Sequence, residues 1–162
     1  MSRIFISSTS SGLLPYRQIA TEVIAAQGFE PVVQEHFATP NSDIADEIRQ
    51  KVFHCNGVVA LVGPYYGEPF PVEDDGLGLS YSQFELEFAL RQNLPCLAAI
   101  AADDCDLEDG VAEDSALRDQ QAAFAASLKT RMTPRLGWSS FGNRFQFAMV
   151  LAKIRWTDWL RV

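Results

Sequence analysis

Short apolar runs alternate with longer amphipathic segments along the chain, and the runs predict buried strands. One run, over residues 57–63, is apolar throughout, as expected for a parallel strand that is covered on both faces. The other apolar runs cover residues 4–6, 31–33, 95–101 and 136–140.

The amphipathic segments between these runs predict helices, because their apolar side chains recur at helical spacing. Pro15 and Gly28 suit the first turn and the end of the first helix, and Asn41 with Ser42 can cap the second. The third helix is expected to begin near Ser80, and two more are expected over about 115–129 and 142–160. This alternation predicts one flavodoxin-like α/β domain over residues 1–162: a doubly wound, mainly parallel sheet of about five strands with helices on both faces.

Composition and charge narrow the possible partners. Hydrophobic residues make up 48% of the chain, which is typical of a globular protein, and the formal charge is −8, from 21 acidic and 13 basic residues. A phosphate backbone would be repelled by this balance, so nucleic acid is not an expected partner. The longest apolar run, over 95–102, is too short to span a bilayer, so no membrane attachment is expected.

The location expected from the sequence is the cytoplasm. The first strand begins almost at the N-terminus, which leaves no room for a signal peptide. Cys55, Cys96 and Cys105 form neither a CxxC pair nor an even disulfide framework, so reduced thiols are expected.

A hydroxyl-rich loop leaves the first strand and enters the first helix. Ser7, Ser8 and Thr9 lead into Ser10 and Ser11, and such hydroxyls and backbone N–H groups can hold phosphate or ribose oxygens. The loop is neither a GxGxxG nor a GxxxxGK[ST] sequence, so the usual dinucleotide and P-loop modes do not follow. The alternative is that these side chains only satisfy turn and cap hydrogen bonds.

The start of the third helix offers two capping boxes, which give Glu85 different roles. If Ser82 pairs with Glu85, the carboxylate only caps the helix. If Ser80 pairs with Gln83 instead, Glu85 lies in the second turn and can face the cleft as a nucleophile or base. Glu87, four residues before Arg91, is expected to form an exposed ion pair with it.

Two loops carry weaker candidates. Gly63, Tyr66 and Gly67 follow the clearest strand, where the glycines permit close approach and the tyrosine could either stack on a base or cover a tight turn. The acidic loop over 103–114 imitates a calcium loop only in its first positions, so a solvated loop without metal is expected.

Taken together, these motifs resemble the DUF4062 family over roughly residues 3–100. The family is similar to the TIR-like superfamily, whose fold is the doubly wound sheet. The residues that carry the resemblance are Ile4-Phe5-Ile6-Ser7-Ser8-Thr9, Leu13, Arg17, Glu35, Gly63, Tyr66, Gly67, Ser80, Tyr81, Glu85, Glu87, Ala89 and Pro95.

The resemblance implies a catalytic role for Glu85. Active TIR domains cleave the nicotinamide–ribose bond of NAD with a helix glutamate, and nucleoside deoxyribosyltransferases use a glutamate in an E-x-G-x-A context. Glu85 matches that context, with Glu87 in place of the glycine. Two further departures are Gly12, where the family commonly has an acidic residue, and Asn56, where it usually has Asp.

The function expected from this resemblance is a signalling or anti-phage defence module that binds a nucleotide and hydrolyses its N-glycosidic bond. NAD would be a substrate and no cofactor is expected. Glu85 would be catalytic, and the substrate would be bound by Ser7, Ser8, Thr9, Arg17, Gly63, Tyr66 and Ser80.

Two other functions stay open. One is a non-enzymatic domain that self-associates or docks onto a larger signalling NTPase or repeat protein, since the family is often found on such chains and the last helix is rich in aromatic residues. The other is a nucleoside deoxyribosyltransferase-like enzyme.

Overall fold

The computed structural model describes residues 1–9, 12–33, 44–70, 78–108, 110, 112–131 and 133–160. Five strands alternate with helices, as the sequence predicts. The strands are β1 (Arg3–Ser8), β2 (Glu30–Val33), β3 (Gly57–Val62), β4 (Cys96–Ala101) and β5 (Leu136–Phe141). The helices are α1 (Leu14–Ala26), α2 (Ile44–Phe53), α3 (Tyr81–Arg91), α4 (Ser115–Thr130), α5 (Arg144–Ala152) and α6 (Trp156–Leu160).

All five strands are parallel and lie in the order β2-β1-β3-β4-β5. The predicted doubly wound α/β fold is therefore confirmed. Alternate side chains of the central strands enter two separate apolar cores. Phe5 packs on the side of α2, α3 and α4, whereas Ile4 and Ile6 pack on the side of α1, α5 and α6.

The last helix departs from the prediction of one helix over 142–160, which is wrong. Two helices, α5 and α6, occupy this segment. The buried Trp156 indole Nε1 donates a hydrogen bond to the Leu151 carbonyl oxygen at 3.2 Å. In a continuous helix that oxygen would accept a hydrogen bond from the N–H of Arg155. Here it accepts from the indole instead, and the chain turns between α5 and α6.

Several sequence expectations concern residues outside the described part of the chain. These are the loop hydroxyls of Ser10 and Ser11, the family residue Glu35, the proposed caps Asn41 and Ser42, and Asp109 of the acidic loop. No helix within the described ranges combines the length and the apolar character needed to cross a lipid bilayer.

The buried thiols give a prediction about chemical reactivity. Burial raises the pKa of the Cys55 thiol to about 11 and that of the Cys96 thiol to about 12, from 9.0. Each pKa unit lowers the thiolate fraction about tenfold, so at pH 8 Cys55 should react about a hundredfold, and Cys96 about a thousandfold, more slowly than in the unfolded chain. Thiol titration followed by peptide mapping, with and without denaturant, measures this ratio. Equal labelling of Cys96 in both states would contradict the burial described here.

Candidate functional site

The carboxyl ends of β1 and β3 meet at the centre of the sheet. The chain runs outward to β2 on one side of β1 and to β4 and β5 on the other side of β3, so a topological switch point lies between them. In open α/β sheets, a ligand usually binds at the switch point, in the crevice outside the carboxyl ends of the strands. Ser7 and Ser8 end β1, and Gly63 directly follows β3.

The first turn of α3 settles which capping box forms. The Ser80 hydroxyl accepts from the Gln83 backbone N–H at 3.3 Å, and the Gln83 side chain accepts from the Ser80 backbone N–H at 3.2 Å. Glu85 therefore does not cap the helix. It lies in the second turn and is buried, with only 1% of its surface exposed.

Glu85 is joined directly to the end of β1. The Ser7 hydroxyl donates to Glu85 Oε2 at 2.5 Å and also approaches the Ser82 carbonyl oxygen at 3.3 Å. The shorter distance lies in the range of charge-assisted hydroxyl–carboxylate bonds. This bond fixes one carboxylate oxygen at the switch point, and it brings together two residues that sequence reasoning placed in one site.

The next two hydroxyls of the β1 loop are buried without hydrogen-bond partners among the described residues. Ser8 is 3% exposed and Thr9 is 8% exposed, and neither Ser8 Oγ nor Thr9 Oγ1 meets a protein donor or acceptor. A buried hydroxyl left in this state costs about 1–3 kcal/mol of stability. Such groups are typical of positions where a ligand completes the hydrogen bonding.

A pair of buried glutamines holds the start of α3 against the end of β3. Gln83 Nε2 donates to Gln121 Oε1 at 2.8 Å, and Gln121 Nε2 donates to the Gly63 carbonyl oxygen at 2.8 Å. Together with the capping box, this chain of bonds links Ser80 to Gly63. Sequence reasoning missed Gln121, although its position on the face of α4 that carries Leu128 was an available signal.

Tyr66 lies in the loop after β3 and is 2% exposed. Its hydroxyl donates to the Gly78 carbonyl oxygen, which ties the beginning of the long loop to its end. Phe70 and Tyr81 continue this connection, since their backbone N–H groups bond to Leu79 and Glu68. The buried Tyr66 ring thus packs under the loop and connects its two ends. Its contact with a substrate stays a prediction.

Arg17 lies in α1 and is half-buried. Its backbone N–H bonds to the Leu13 carbonyl, and its own carbonyl accepts from the Thr21 hydroxyl. Within the described ranges, no hydrogen bond or ion pair joins its guanidinium to Glu85 or to another side chain. Its role in phosphate binding stays a prediction.

Glu87 has a different partner from the one expected. Its carboxylate forms a bidentate pair with the Arg131 guanidinium, with 3.1 Å between Arg131 Nη2 and Glu87 Oε2, instead of the predicted pair with Arg91. The hydrogen bonds that Arg131 donates to Glu87 also raise the pKa of the Arg131 guanidinium. Two helical positions separate Glu85 from Glu87, so the second carboxylate faces the end of α4 and does not enter the site.

The two other departures from the family pattern have structural explanations. Gly12 has a φ of +75°, and a Cβ there would lie 3.1 Å from the Glu108 carbonyl oxygen, so a side chain would be strained. Asn56 lies at the amino ends of β1 and β3, where its Oδ1 accepts a hydrogen bond from the Arg3 backbone N–H at 2.8 Å.

The acidic segment after β4 shows no grouping suited to a cation in its described part. Among the residues described throughout the chain, no set of three or more His, Cys, Asp or Glu side chains is arranged to hold a metal ion. One acidic side chain of this segment, Glu113, instead bonds to the backbone of the β3 loop.

Comparison with known proteins places the chain in a family. The family model described as a domain of unknown function (DUF4062) matches residues 3–153, and the chain belongs to that family. No curated protein matches it. Among solved structures, it is similar to the Clostridium botulinum CMP N-glycosidase BcmB, with 10% sequence identity and a TM-score of 0.51, over 93% of this chain and 98% of that one. At this identity the likeness shows a shared fold.

Proposed function

We propose that this protein binds a nucleotide and hydrolyses its N-glycosidic bond, with Glu85 as the catalytic carboxylate. The observation that carries the proposal is the position of Glu85: buried, at the switch point of a parallel sheet, and held by the Ser7 hydroxyl at 2.5 Å. A carboxylate at the carboxyl ends of the strands can stabilise the positive charge that develops on a sugar ring in the transition state.

Glu85 would act on the anomeric carbon. As the base departs with the bonding electrons, the ring develops oxocarbenium character, which a carboxylate stabilises electrostatically or captures as a glycosyl ester. Water then adds to the anomeric carbon, loses a proton to the solvent and releases the sugar, and a departing cytosine takes up a proton from the solvent. Ser7 holds Oε2, so the orientation of the carboxylate is set before substrate binds.

The substrate class proposed is a nucleotide, with NAD as the first candidate and CMP as the second. The pyridinium base of NAD leaves as neutral nicotinamide, so its departure needs no general acid and one carboxylate suffices. CMP enters through the fold likeness to a CMP N-glycosidase. Membership of the TIR-like superfamily is part of the same proposal and is supported by the strand order and by a helix glutamate at the switch point.

The test is the release of free base from three nucleotides and one nucleoside. Concentrated wild-type protein is incubated with NAD, NADP, CMP or deoxycytidine, and the free base is separated by chromatography. The proposal expects nicotinamide or cytosine in the wild-type reaction. If neither base is formed, and enforced assembly of the protein also gives none, hydrolysis is excluded as the function.

The same incubations distinguish hydrolysis from base exchange. A deoxyribosyltransferase-like enzyme would move the sugar from one added base to another, so a second free base would become glycosylated. Glu85 would serve both reactions, because each passes through attack at the anomeric carbon. Appearance of a new deoxynucleoside would favour exchange.

A self-associating signalling domain is the second candidate, and one surface favours it. Along helix α5, the large apolar side chains Phe145 and Met149 are 74% and 38% exposed. A second copy of the chain could cover them, and β5, which has no further strand beside it among the described residues, offers backbone groups for pairing. Light scattering over a concentration series tests this: a rising mass supports association, and a constant monomer mass contradicts it.

A further inference from the structure

The loop after β3 carries two consecutive backbone donors that bind a carboxylate. The Tyr66 N–H donates to Glu113 Oε1 at 2.9 Å, and the Gly67 N–H donates to Glu113 Oε2 at 2.8 Å. Gly67 has a φ of +81°, a left-handed backbone conformation that glycine adopts without strain. Each donor meets a different oxygen of one anion, and two oxygens of a phosphate group would fit the same pair.

The Thr9 side chain lies against Gly67, the second residue of this pair. A Cβ on Gly67 would be only 2.7 Å from Thr9 Cγ2, so the Thr9 side chain packs directly against Gly67. Thr9 is 8% exposed, and its Oγ1 has no partner among the described residues. A buried donor next to an anion-binding backbone pair indicates that a further ligand oxygen belongs at this place.

The donor pair is connected to Glu85 through the end of β1. Ser7 bonds to Glu85, and Thr9 follows two residues later, so at most about 7 Å of extended backbone separates the two positions. In a nucleoside 5′-phosphate, a single ribose ring and its 5′-carbon separate the glycosidic carbon from the phosphate. A ligand with its phosphate at Gly67 can therefore place its glycosidic bond near Glu85.

We propose that the N–H groups of Tyr66 and Gly67, with the Thr9 hydroxyl, form the binding site for the 5′-phosphate of the nucleotide, and that Glu113 occupies this site until the phosphate displaces it. That the anion belongs to a nucleotide substrate rests on the proposed function. The anion site itself rests on the contacts of these four residues alone.

Glu113 must leave because the two anions cannot share one pair of donors. Like charges in direct contact repel, and both need the same N–H hydrogens. Other contacts keep Glu113 close: the Gly110 N–H donates to the Tyr65 hydroxyl at 3.3 Å, and the Arg118 guanidinium lies 5.5 Å from the Tyr65 ring centroid. The Glu113 carboxylate is therefore present at a high local concentration. It competes with phosphate for the two N–H groups and lowers the apparent affinity of the site for phosphate.

The test compares phosphate binding by wild type, Glu113→Gln and Glu108→Gln. Glu108 is an exposed carboxylate of the same segment, so its substitution removes the same charge without touching the donor pair. Calorimetric titration with inorganic phosphate and with CMP should give about tenfold or greater tightening for Glu113→Gln, and a change within about threefold for Glu108→Gln. Equal or weaker binding by Glu113→Gln overturns the proposal, because a purely structural contact predicts no gain.

Two further measurements keep the proposal falsifiable if Glu113→Gln does not fold. Phosphate added to ¹⁵N-labelled wild-type protein should shift the Tyr66 and Gly67 amide resonances, and unchanged resonances at saturating phosphate contradict the site. Thr9→Val, which removes only the hydroxyl oxygen in favour of a methyl group, should weaken phosphate binding about tenfold. None of these readouts depends on turnover, so a failure of the anion site is distinguishable from a failure of glycosidic hydrolysis.

Discussion

Replacing Glu85 with glutamine is expected to lower base release by about a thousandfold. Glutamine has nearly the same shape and can still accept from Ser7, but it carries no charge to stabilise an oxocarbenium ion and cannot form the glycosyl ester. Steady-state release of nicotinamide or cytosine, measured by chromatography at saturating substrate, gives the ratio. The loss should fall on kcat, since the carboxylate acts in the transition state.

Glu87→Gln is the matched control for this experiment. It makes the same chemical change two residues along the same helix, but at a carboxylate that bonds to Arg131 outside the site. We expect base release within about threefold of wild type and a modest loss of stability from the partly exposed ion pair. If the two variants lose activity equally, the effect belongs to the helix and not to the Glu85 carboxylate.

Gln121→Leu is expected to lower the free energy of unfolding by about 2–5 kcal/mol. The substitution leaves the Gly63 carbonyl oxygen and Gln83 Nε2 buried without their present partner, and each such group costs about 1–3 kcal/mol. Urea denaturation measures the difference. Base release should also decrease, because the Gln83–Gln121 pair holds the first turn of α3 against β3.

Gln120→Leu provides the comparison for this variant. Gln120 is the same residue type in the preceding position of α4, but it is exposed. Its substitution should change the free energy of unfolding by no more than about 0.5 kcal/mol. Similar effects at positions 120 and 121 would mean that the buried glutamine pair contributes little to stability.

The fold could be predicted from the sequence because its main signals are local. Residues 57–63 are apolar at every position, and the structure buries every residue of β3 from Gly57 to Val62. The α/β alternation then permits few topologies other than a parallel sheet with helices on both faces. The break between α5 and α6 escaped prediction because an indole contact, and not a proline or glycine, ends α5.

The site was predictable only in part, because its decisive contacts are long-range. Two capping boxes were compatible with the sequence of α3, and the choice between them fixes the position of Glu85. The bond from Ser7 spans 78 positions and the bond from Gln121 to Gly63 spans 58. Helical spacing likewise suggested Arg91 for Glu87, but the carboxylate pairs with Arg131, 44 positions along the chain, in bidentate geometry.

The central claim is that the Glu85 carboxylate cleaves the N-glycosidic bond of a bound nucleotide. The most direct measurement is single-turnover release of free base from NAD and from CMP, with wild type or Glu85→Gln in excess over substrate. We predict release of nicotinamide or cytosine by wild type and about a thousandfold slower release by Glu85→Gln. Release at equal rates by the two proteins would contradict the assignment of Glu85 as the catalytic residue.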